Sequence, residues 1–379
     1  MSIFGIILSL AIVLIAVYAL TILFFTYGWF RLKETTHYYI DGEIKVSVIV
    51  PFRNEENNLA TIMDCLSRQY YPKGLLEIIL VNDHSEDMGL KLANDYIAVH
   101  ELTDFKVLSL EEGEGISKKA ALRKGIENSH GELIITTDAD CSMGEFWVSA
   151  IAEKYLSENC QMISGPVCIK PDGSFFSGLQ SLEFFSLVGC GAGAIAIGKP
   201  FLANGANLAF SRSLYDELHG YSSHLKYASG DDVFMLLQAK KKHNISFLKD
   251  KAAVVRTQGA HNLKTFFQQR IRWASKSSGY KDAPALLTAL SVFFLNSLLL
   301  ISCGLGFFDS RIFFISGGLF LIKLLIDLPL FSAVSGFFNL RRLLWLYLPL
   351  QILYTIYIIV TAVLSWFLPF DWKNRSMRK

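Results

Sequence analysis

Leu133-Ile134-Ile135-Thr136-Thr137-Asp138-Ala139-Asp140 is a short apolar run that ends in two carboxylates one residue apart. Read as a strand, the run carries both acids to its carboxyl end, the edge at which open α/β sheets bind their ligands. Mg²⁺ and Mn²⁺ favour such hard oxygens; one or two carboxylates commonly hold the ion while substrate phosphates complete its shell. An Asp-x-Asp in this place therefore suggests a metal-bridged phosphate site. Turn and helix-cap chemistry also puts Asp after strands, so the pair has to be read with the rest of the chain.

Working outward, the same arrangement recurs. Lys45 to Val50 alternates into a first strand stopped by Pro51, and Phe52-Arg53-Asn54-Glu55-Glu56-Asn57 leads into a helix through Leu66. This polar cluster also suits a helix start, with Asn54 or Asn57 as cap and the Glu pair facing the dipole. Glu77 to Val81 is a second strand that runs into Asn82-Asp83, so strand-then-acid occurs at Asp83 and again at Asp138 and Asp140, with Glu55 just after the first strand. Acids gathered along one edge of a parallel sheet point to a nucleotide site. Phe105 to Leu110 is a further strand, and Ser117-Lys118-Lys119 opens a basic helix through Gly125. Lys118 or Lys119 near that helix start can meet a diphosphate with help from the free N–H groups; a solvated basic face is the other reading.

Beyond the paired acids, Glu145 to Leu156 reads as a helix and Met162 to Val167 as a strand. Phe175 to Leu187 is an aromatic-rich helix leading into the glycine and alanine stretch Val188 to Gly198. That stretch lacks G-x-G-x-x-G after a strand, so close packing or a membrane-facing surface explains it better than a dinucleotide loop. In Asn204-Gly205-Ala206-Asn207 the glycine permits close backbone approach and the amides suit sugar hydroxyls, as an ordinary turn before a strand also would. Gly230-Asp231-Asp232 starts another helix. Its acids either complement the dipole or supply a base for a substrate hydroxyl. In the helix Asn262 to Ser277, Gln269, Arg272 and Trp273 fall on one face. Arg grips a diphosphate bidentately and Trp offers a flat wall; an interfacial helix at the headgroups uses the same residues.

The chain of 379 residues is 52% hydrophobic with mean hydropathy +0.35, too apolar for an ordinary soluble enzyme. The excess lies at its ends. Ile3 to Phe30 carries no charge and is followed by Arg31 and Lys33, which reads as a membrane span. A cleaved signal peptide is the alternative, but the run exceeds the roughly 7–15 residues of its apolar region. Ala285 to Phe308, Ile312 to Val334 and Leu343 to Leu368 are three further apolar runs, the second with Lys323 and Asp327 spaced to pair on one helical face. The expected organisation is a transmembrane helix in 1–30, a catalytic domain in 43–280, about three hydrophobic segments in 285–368 and a basic tail in 369–379. Arg31, Lys33, the basic segment through Lys281 and Arg341-Arg342 favour a cell-membrane protein, multi-pass, with its domain on the cytoplasmic side. The tail, with Lys373, Arg375, Arg378 and Lys379, also asks to be inside, yet three full crossings would leave it outside. One of the last segments is then re-entrant or interfacial, or the rule is broken. A net charge of +2 gives no sign of nucleic-acid binding, and six Cys without Cys-x-x-Cys or a Cys/His cluster suggest neither zinc nor a disulfide frame.

Pro51-Phe-Arg53-Asn-Glu55, the strand-end Asp83, Lys118-x-x-Ala-Leu122, Asp138-Ala-Asp140, Gly230-Asp-Asp232 and Gln269-x-x-Arg272-Trp273, in that order, resemble membrane-embedded inverting glycosyltransferases of family 2. That family includes the cellulose, chitin, hyaluronan and poly-N-acetylglucosamine synthases, and ceramide glucosyltransferases are similar. The resemblance implies an α/β GT-A fold, Rossmann-like, a nucleotide-diphosphate-sugar donor, commonly a UDP-sugar, and a divalent cation. It implies that Pro51, Arg53, Glu55, Asp83, Lys118 and Asp138 bind the donor nucleotide and Asp140 the metal. Asp232 would be the general base, with Gly205, Asn207, Asp231, Gln269, Arg272 and Trp273 on the diphosphate or acceptor. Asp231 stands where many relatives have Glu, which preserves the charge. No Phe-x-Val-Thr-x-Lys segment follows Trp273, a departure from the processive cellulose-synthase pattern. The acceptor is a lipid or a growing glycan, and partner subunits for export are compatible with so few spans. The competing readings are a nucleotidyltransferase, which usually needs a Gly-rich basic loop where Pro51-Phe-Arg-Asn stands, and a non-catalytic membrane subunit that binds nucleotide sugar.

Overall fold

The computed structural model describes residues 3–35, 44–218, 231–276, 282–367, 370–372 and 375–377. Helix α1 (Ile3–Arg31) precedes an alternating series: β1 (Val46–Phe52), α2 (Glu56–Ser67), β2 (Leu76–Asn82), α3 (Gly89–Val99), β3 (Phe105–Ser109), α4 (Lys118–Glu127), β4 (Leu133–Thr136) and α5 (Trp147–Glu158). Then come β5 (Met162–Ser164), β6 (Val167–Ile169), α6 (Phe175–Ala196), β7 (Leu208–Ser211), α7 (Arg212–Glu217), α8 (Asp231–Ala239), β8 (Ile245–Phe247), β9 (Val255–Thr257) and α9 (Leu263–Lys276). Helices α10 (Ala283–Leu305), α11 (Ser310–Phe337) and α12 (Tyr347–Phe367) and a small hairpin of β10 (Phe370–Trp372) and β11 (Arg375–Met377) complete the chain.

Seven strands form one sheet in the order β3-β2-β1-β4-β7-β5-β8, parallel except for β7, which runs antiparallel to both β4 and β5. Strand β1 is buried along its whole length, as a parallel strand covered on both faces must be. Its side chains alternate. Val46, Val48 and Val50 join a core under α2, α3 and α5, while Ile49 joins a second core under α4, α7 and α8. The crossover connections thus leave the carboxyl ends of β1, β2 and β4 open at one edge. This is the GT-A architecture.

The single strand expected over Met162 to Val167 is two. Pro166 cannot donate to a ladder, and the chain breaks there: β5 stays in the main sheet, while β6 pairs with β9 in a separate two-stranded sheet. The glycine and alanine stretch is not a loop, because α6 continues through it to Ala196. Its purpose is close packing. A Cβ on Gly193 would sit 2.0 Å from the Phe25 carbonyl oxygen, and one on Gly28 would sit 2.1 Å from the Gly193 oxygen, so α1 and α6 meet backbone to backbone.

Among the described residues, five helices are long and apolar enough to cross a membrane: Ile3–Arg31, Phe175–Ala196, Ala283–Leu305, Ser310–Phe337 and Arg341–Ser365. They are not equivalent. The apolar window of α6 is 72% buried within the protein, against 22–33% for the others. Helices α1, α10 and α11 pack into a bundle through Ile7, Ala11, Leu295, Leu299, Ile312 and Leu319, leaving Leu20, Phe308 and Phe314 exposed outside. At the other end of α1, Lys249 Nζ donates to the carbonyls of Trp29 and Leu32, both at 3.3 Å, and caps the helix onto the domain. Just before α12, Trp345 meets Phe175 at the start of α6, and the strand after α12, β10, lies against α9.

Candidate active site

The open sheet edge supplies the first two acids. Asp138 and Asp140 leave β4 at its carboxyl end, and helix α4, capped by the Ser117 hydroxyl, which accepts from the Ala120 N–H at 3.2 Å, brings Lys118 to them. The Lys118 ammonium donates to Asp138 Oδ1. From the opposite side α8 presents Asp232, whose Oδ2 accepts the Gly205 N–H at 3.1 Å and whose Oδ1 accepts the Val233 N–H at 2.8 Å. Gly205 is where the two sides meet. A Cβ there would lie 3.6 Å from the Asp232 carboxylate and 3.8 Å from Lys118 Nζ. Thr136 holds this turn in place, its hydroxyl donating to the Gly205 carbonyl at 3.0 Å. Helix α9 adds the Arg272 guanidinium, which feels the charges of both Asp138 and Asp232.

The electrostatics follow from this crowding. Burial, then the like charges of Asp138 and Glu55, push the Asp140 carboxyl up to about 6, although the Thr257 hydroxyl donates to it at 3.2 Å and Lys118 opposes the shift. Burial alone would lower Lys118, but Asp138 outweighs it and holds the ammonium above its usual range. Burial draws Arg272 downward, with Asp138 and Asp232 acting against it. Acids and bases thus share one cleft in which a carboxylate is held at a cost in free energy.

No group of three His, Cys, Asp or Glu able to enclose a metal ion occurs among the described residues. What the cleft offers is a destabilised carboxylate, Asp140, with two further acids close enough to raise its proton affinity. That donor set fits a hard divalent cation which takes its remaining oxygens from a substrate diphosphate.

The other expected site residues are distributed less simply. Pro51 is buried within β1, and Asp83, at the end of β2, is buried with its carboxylate 3.2 Å from His84 Nδ1. Arg53 is engaged in the same loop. Its Nη1 donates to the carbonyls of Asp83 and His84 and its Nη2 to Glu86 at 2.7 Å, so it shapes the turn after β2. Glu55 immediately precedes α2, and its carboxylate accepts from the Asn58 amide at 2.7 Å. Asn207 lies beneath the cleft, not in it. It accepts from the Trp147 indole at 3.0 Å and donates to the carbonyls of Pro166 and Ala253 at 2.9 and 2.8 Å. Gln269 accepts from Arg270 at 2.5 Å, and Trp273 stacks under the Arg270 guanidinium at 4.3 Å. The Asp231 side chain and Gly230 lie outside the described residues.

Sequence reasoning passed over two groups. Thr257 reaches Asp140 from β9, more than a hundred positions away, and no local pattern marks it. Arg270 forms a buried ion pair with Glu183 of α6, and the Tyr357 hydroxyl of α12 donates to the same carboxylate. Here a signal existed, since Glu183 is a lone acid in an otherwise apolar helix. The pair clamps α9, and with it Arg272 and Trp273, onto the membrane-facing helices. A cavity of about 210 Å³ opens beside Asp232 and Trp273, walled by Phe184, Leu187 and Val188 of α6.

With this geometry in hand, comparison with known proteins gives a consistent answer. Residues 47–227 match the family described as Glycosyl transferase family 2. The centre of this chain is a family 2 glycosyltransferase domain. The chain is 26% identical over 235 residues to the probable glycosyltransferase YdaM of Bacillus subtilis, covering 61% of this chain and 54% of that protein. It is 36% identical over 115 residues to the human dolichyl-phosphate beta-glucosyltransferase, covering 28% of this chain and 35% of that one. The chain therefore spans about half the length, or less, of these two curated relatives. The mannosyltransferase PcManGT from Pyrobaculum calidifontis, solved in complex with GDP-Man and Mn²⁺, has the same fold: TM-score 0.60 at 18% identity, over 95% of this chain and 99% of that one. The glycosyltransferase domain thus carries the acids at the edge of its sheet, and α9 and α6 join it to the apolar helices.

Proposed function

We propose that this protein is a membrane glycosyltransferase that transfers a sugar from a nucleotide-diphosphate sugar to a hydroxyl of a lipid or glycan acceptor, with inversion at the anomeric carbon. The observation that carries the reading is the meeting of Asp138, Asp140, Lys118, Asp232 and Arg272 in one cleft, from elements as far apart in sequence as α4 and α9. Asp138, with Glu55 and Asp83 along the same sheet edge, is assigned to the donor nucleotide. Lys118 and Arg272 neutralise the diphosphate. The complex of PcManGT with GDP-Man and Mn²⁺ supports a donor of this class and a divalent cation, without fixing the base or sugar here.

In the reaction the acceptor oxygen attacks the anomeric carbon as its proton passes to Asp232. The bond from that carbon to the diphosphate oxygen breaks, and the electron pair leaves with the nucleoside diphosphate. A single displacement needs no enzyme nucleophile, so configuration inverts. Two backbone N–H groups hold the Asp232 carboxylate, fixing its oxygens toward the Gly205 turn. Bound through Asp140, a divalent cation would supply positive charge to the donor diphosphate. Trp273, on the wall beside Asp232, orients the acceptor.

The charge pattern supports a multi-pass protein of the cell membrane with its domain in the cytoplasm. Arg31 and Lys33 lie at the domain end of α1, and the packing of β10 against α9 supports a last apolar segment that does not cross fully, the arrangement that suits the basic residues of the tail. The test of the function is transfer of labelled sugar by the purified full-length protein from a panel of nucleotide sugars, with product configuration read by NMR. A retained configuration, or donor binding with no transfer to any lipid or glycan offered, would favour the non-catalytic subunit or another chemistry.

A further inference from the structure

The cavity beside Asp232 and Trp273 adjoins the apolar helices. Leu187 of α6 and Leu202 line it, and the same two residues line a second cavity of about 110 Å³ enclosed by α1, α10, α11 and α12. Most of this second wall is apolar, with Ile22, Val292, Leu330 and Leu350 among its residues. Its polar face is a closed network. Lys323 Nζ donates to Asp327 Oδ2 at 3.0 Å and to the Gln351 carbonyl oxygen, while the Tyr18 hydroxyl donates to Asp327 Oδ1 at 2.7 Å and Gln351 Nε2 to Asp327 Oδ2 at 3.0 Å. Glu183, also on this wall, is neutralised by Arg270. Each described charge that faces the cavity therefore has its counter-charge in contact, and the sum is zero.

We infer that the two cavities are one passage for the acceptor, and that the acceptor is an uncharged lipid alcohol whose hydroxyl reaches Asp232 while its chain lies between α6 and the helical bundle. The inference rests on the donor reading above and narrows its acceptor. Three observations converge on it. The walls beside the base are hydrocarbon, against which a hydroxyl-rich glycan would leave its polar groups unpaired. A lipid phosphate would bring a second anion against the Asp232 carboxylate, where the neighbouring cations, Lys118 and Arg272, already serve the donor diphosphate, and an uncompensated buried charge costs several kcal/mol. A phosphate oxygen is, moreover, ionised without help, whereas an alcohol must give up a proton as its oxygen bonds to the anomeric carbon and the diphosphate departs. Asp232, held by two backbone N–H groups, receives that proton. A hydroxyl or amide further along the lipid adds bonds to Gln351 or Tyr18 without disturbing the charge balance.

The experiment uses the full-length protein in phosphatidylcholine nanodiscs with a diazirine-bearing dioleoylglycerol as photoprobe. Labelling is expected on peptides of α6 and α11, suppressed by excess unlabelled dioleoylglycerol and not by equal undecaprenyl phosphate. Leu187→Trp, which fills the junction of the cavities, should reduce labelling to background, and Leu202→Trp, on a loop, does the same should the helix variant fail to fold. Binding of UDP and GDP is measured on the same samples. Loss of nucleotide binding in the wild type would remove the donor reading alone, since labelling is scored independently. Stronger competition by undecaprenyl phosphate, or labelling unchanged in a folded Leu187→Trp or Leu202→Trp protein, would overturn the inference.

Discussion

The cleft at the end of β4 and the polar cluster inside the helical bundle both pair an Asp with a Lys and behave in opposite ways. In the bundle, Asp327 accepts from Tyr18, Lys323 and Gln351, and the charges cancel within one network. In the cleft, Asp140 lies near Asp138 and Glu55 and is pushed up to about 6, so the folded protein holds a carboxylate it would be more stable without. A polar network with each partner supplied holds helices together. One left electrostatically unbalanced is ready for a ligand that brings the missing charge.

Asp232→Asn tests the cleft most severely. The amide keeps one of the two backbone N–H contacts and turns its NH2 toward the other, so nucleotide binding serves as the control for folding; it should persist while transfer falls by about 10²–10⁴-fold, the usual contribution of a positioned base. Turnover within a few-fold of wild type would break the distinction between a reactive and a merely structural acid. The bundle should respond in stability instead. Asp327→Leu strands the Lys323 ammonium and should cost about 3–5 kcal/mol, lowering the unfolding temperature in detergent, whereas Lys323→Met combined with Asp327→Leu should recover most of it. A double variant no better than the single would mean that the network does more than join helices.

The smallest effect has the most informative sign. Because the Asp140 carboxyl is raised in the folded state, its contribution to stability is lost as pH rises from about 4 to about 6, and the penalty is complete above that. Asp140→Asn should therefore be more stable than wild type at pH 7.5 without ligand, by of the order of 1 kcal/mol, with the difference closing toward pH 4. A variant less stable at pH 7.5 would show that the carboxylate is a structural partner, as in the bundle. With nucleotide and Mn²⁺ added, the order should reverse.

The contrast also explains what could be read from the residues alone. Strands β1, β2 and β4 are buried on both faces, so they appear as mainly apolar runs interrupted only by Ser47 and Glu77 before the polar strand ends, and the acids that follow them stand out. The basic helix start at Lys118 and the Gln-x-x-Arg-Trp face of α9 were visible for the same local reason. Contacts made at a distance were not. Thr257 meets Asp140, and Arg270 meets Glu183, only after the sheet has closed and α6 has packed on the domain. Asn207 looked like a sugar ligand because amides suit hydroxyls, yet its bonds to Trp147, Pro166 and Ala253 turn it inward. The extension of α6 through its glycines was hidden because their low helix propensity is overridden by backbone contact with α1.

The central claim is that the cleft gathers its charges around one diphosphate and one cation. A structure of the full-length protein with a nucleoside diphosphate and Mn²⁺, the metal located by its anomalous scattering, tests this directly. The account predicts a manganese peak against Asp140, with the phosphates between it and the side chains of Lys118 and Arg272. A diphosphate bound elsewhere, or a metal peak away from Asp140, would contradict it.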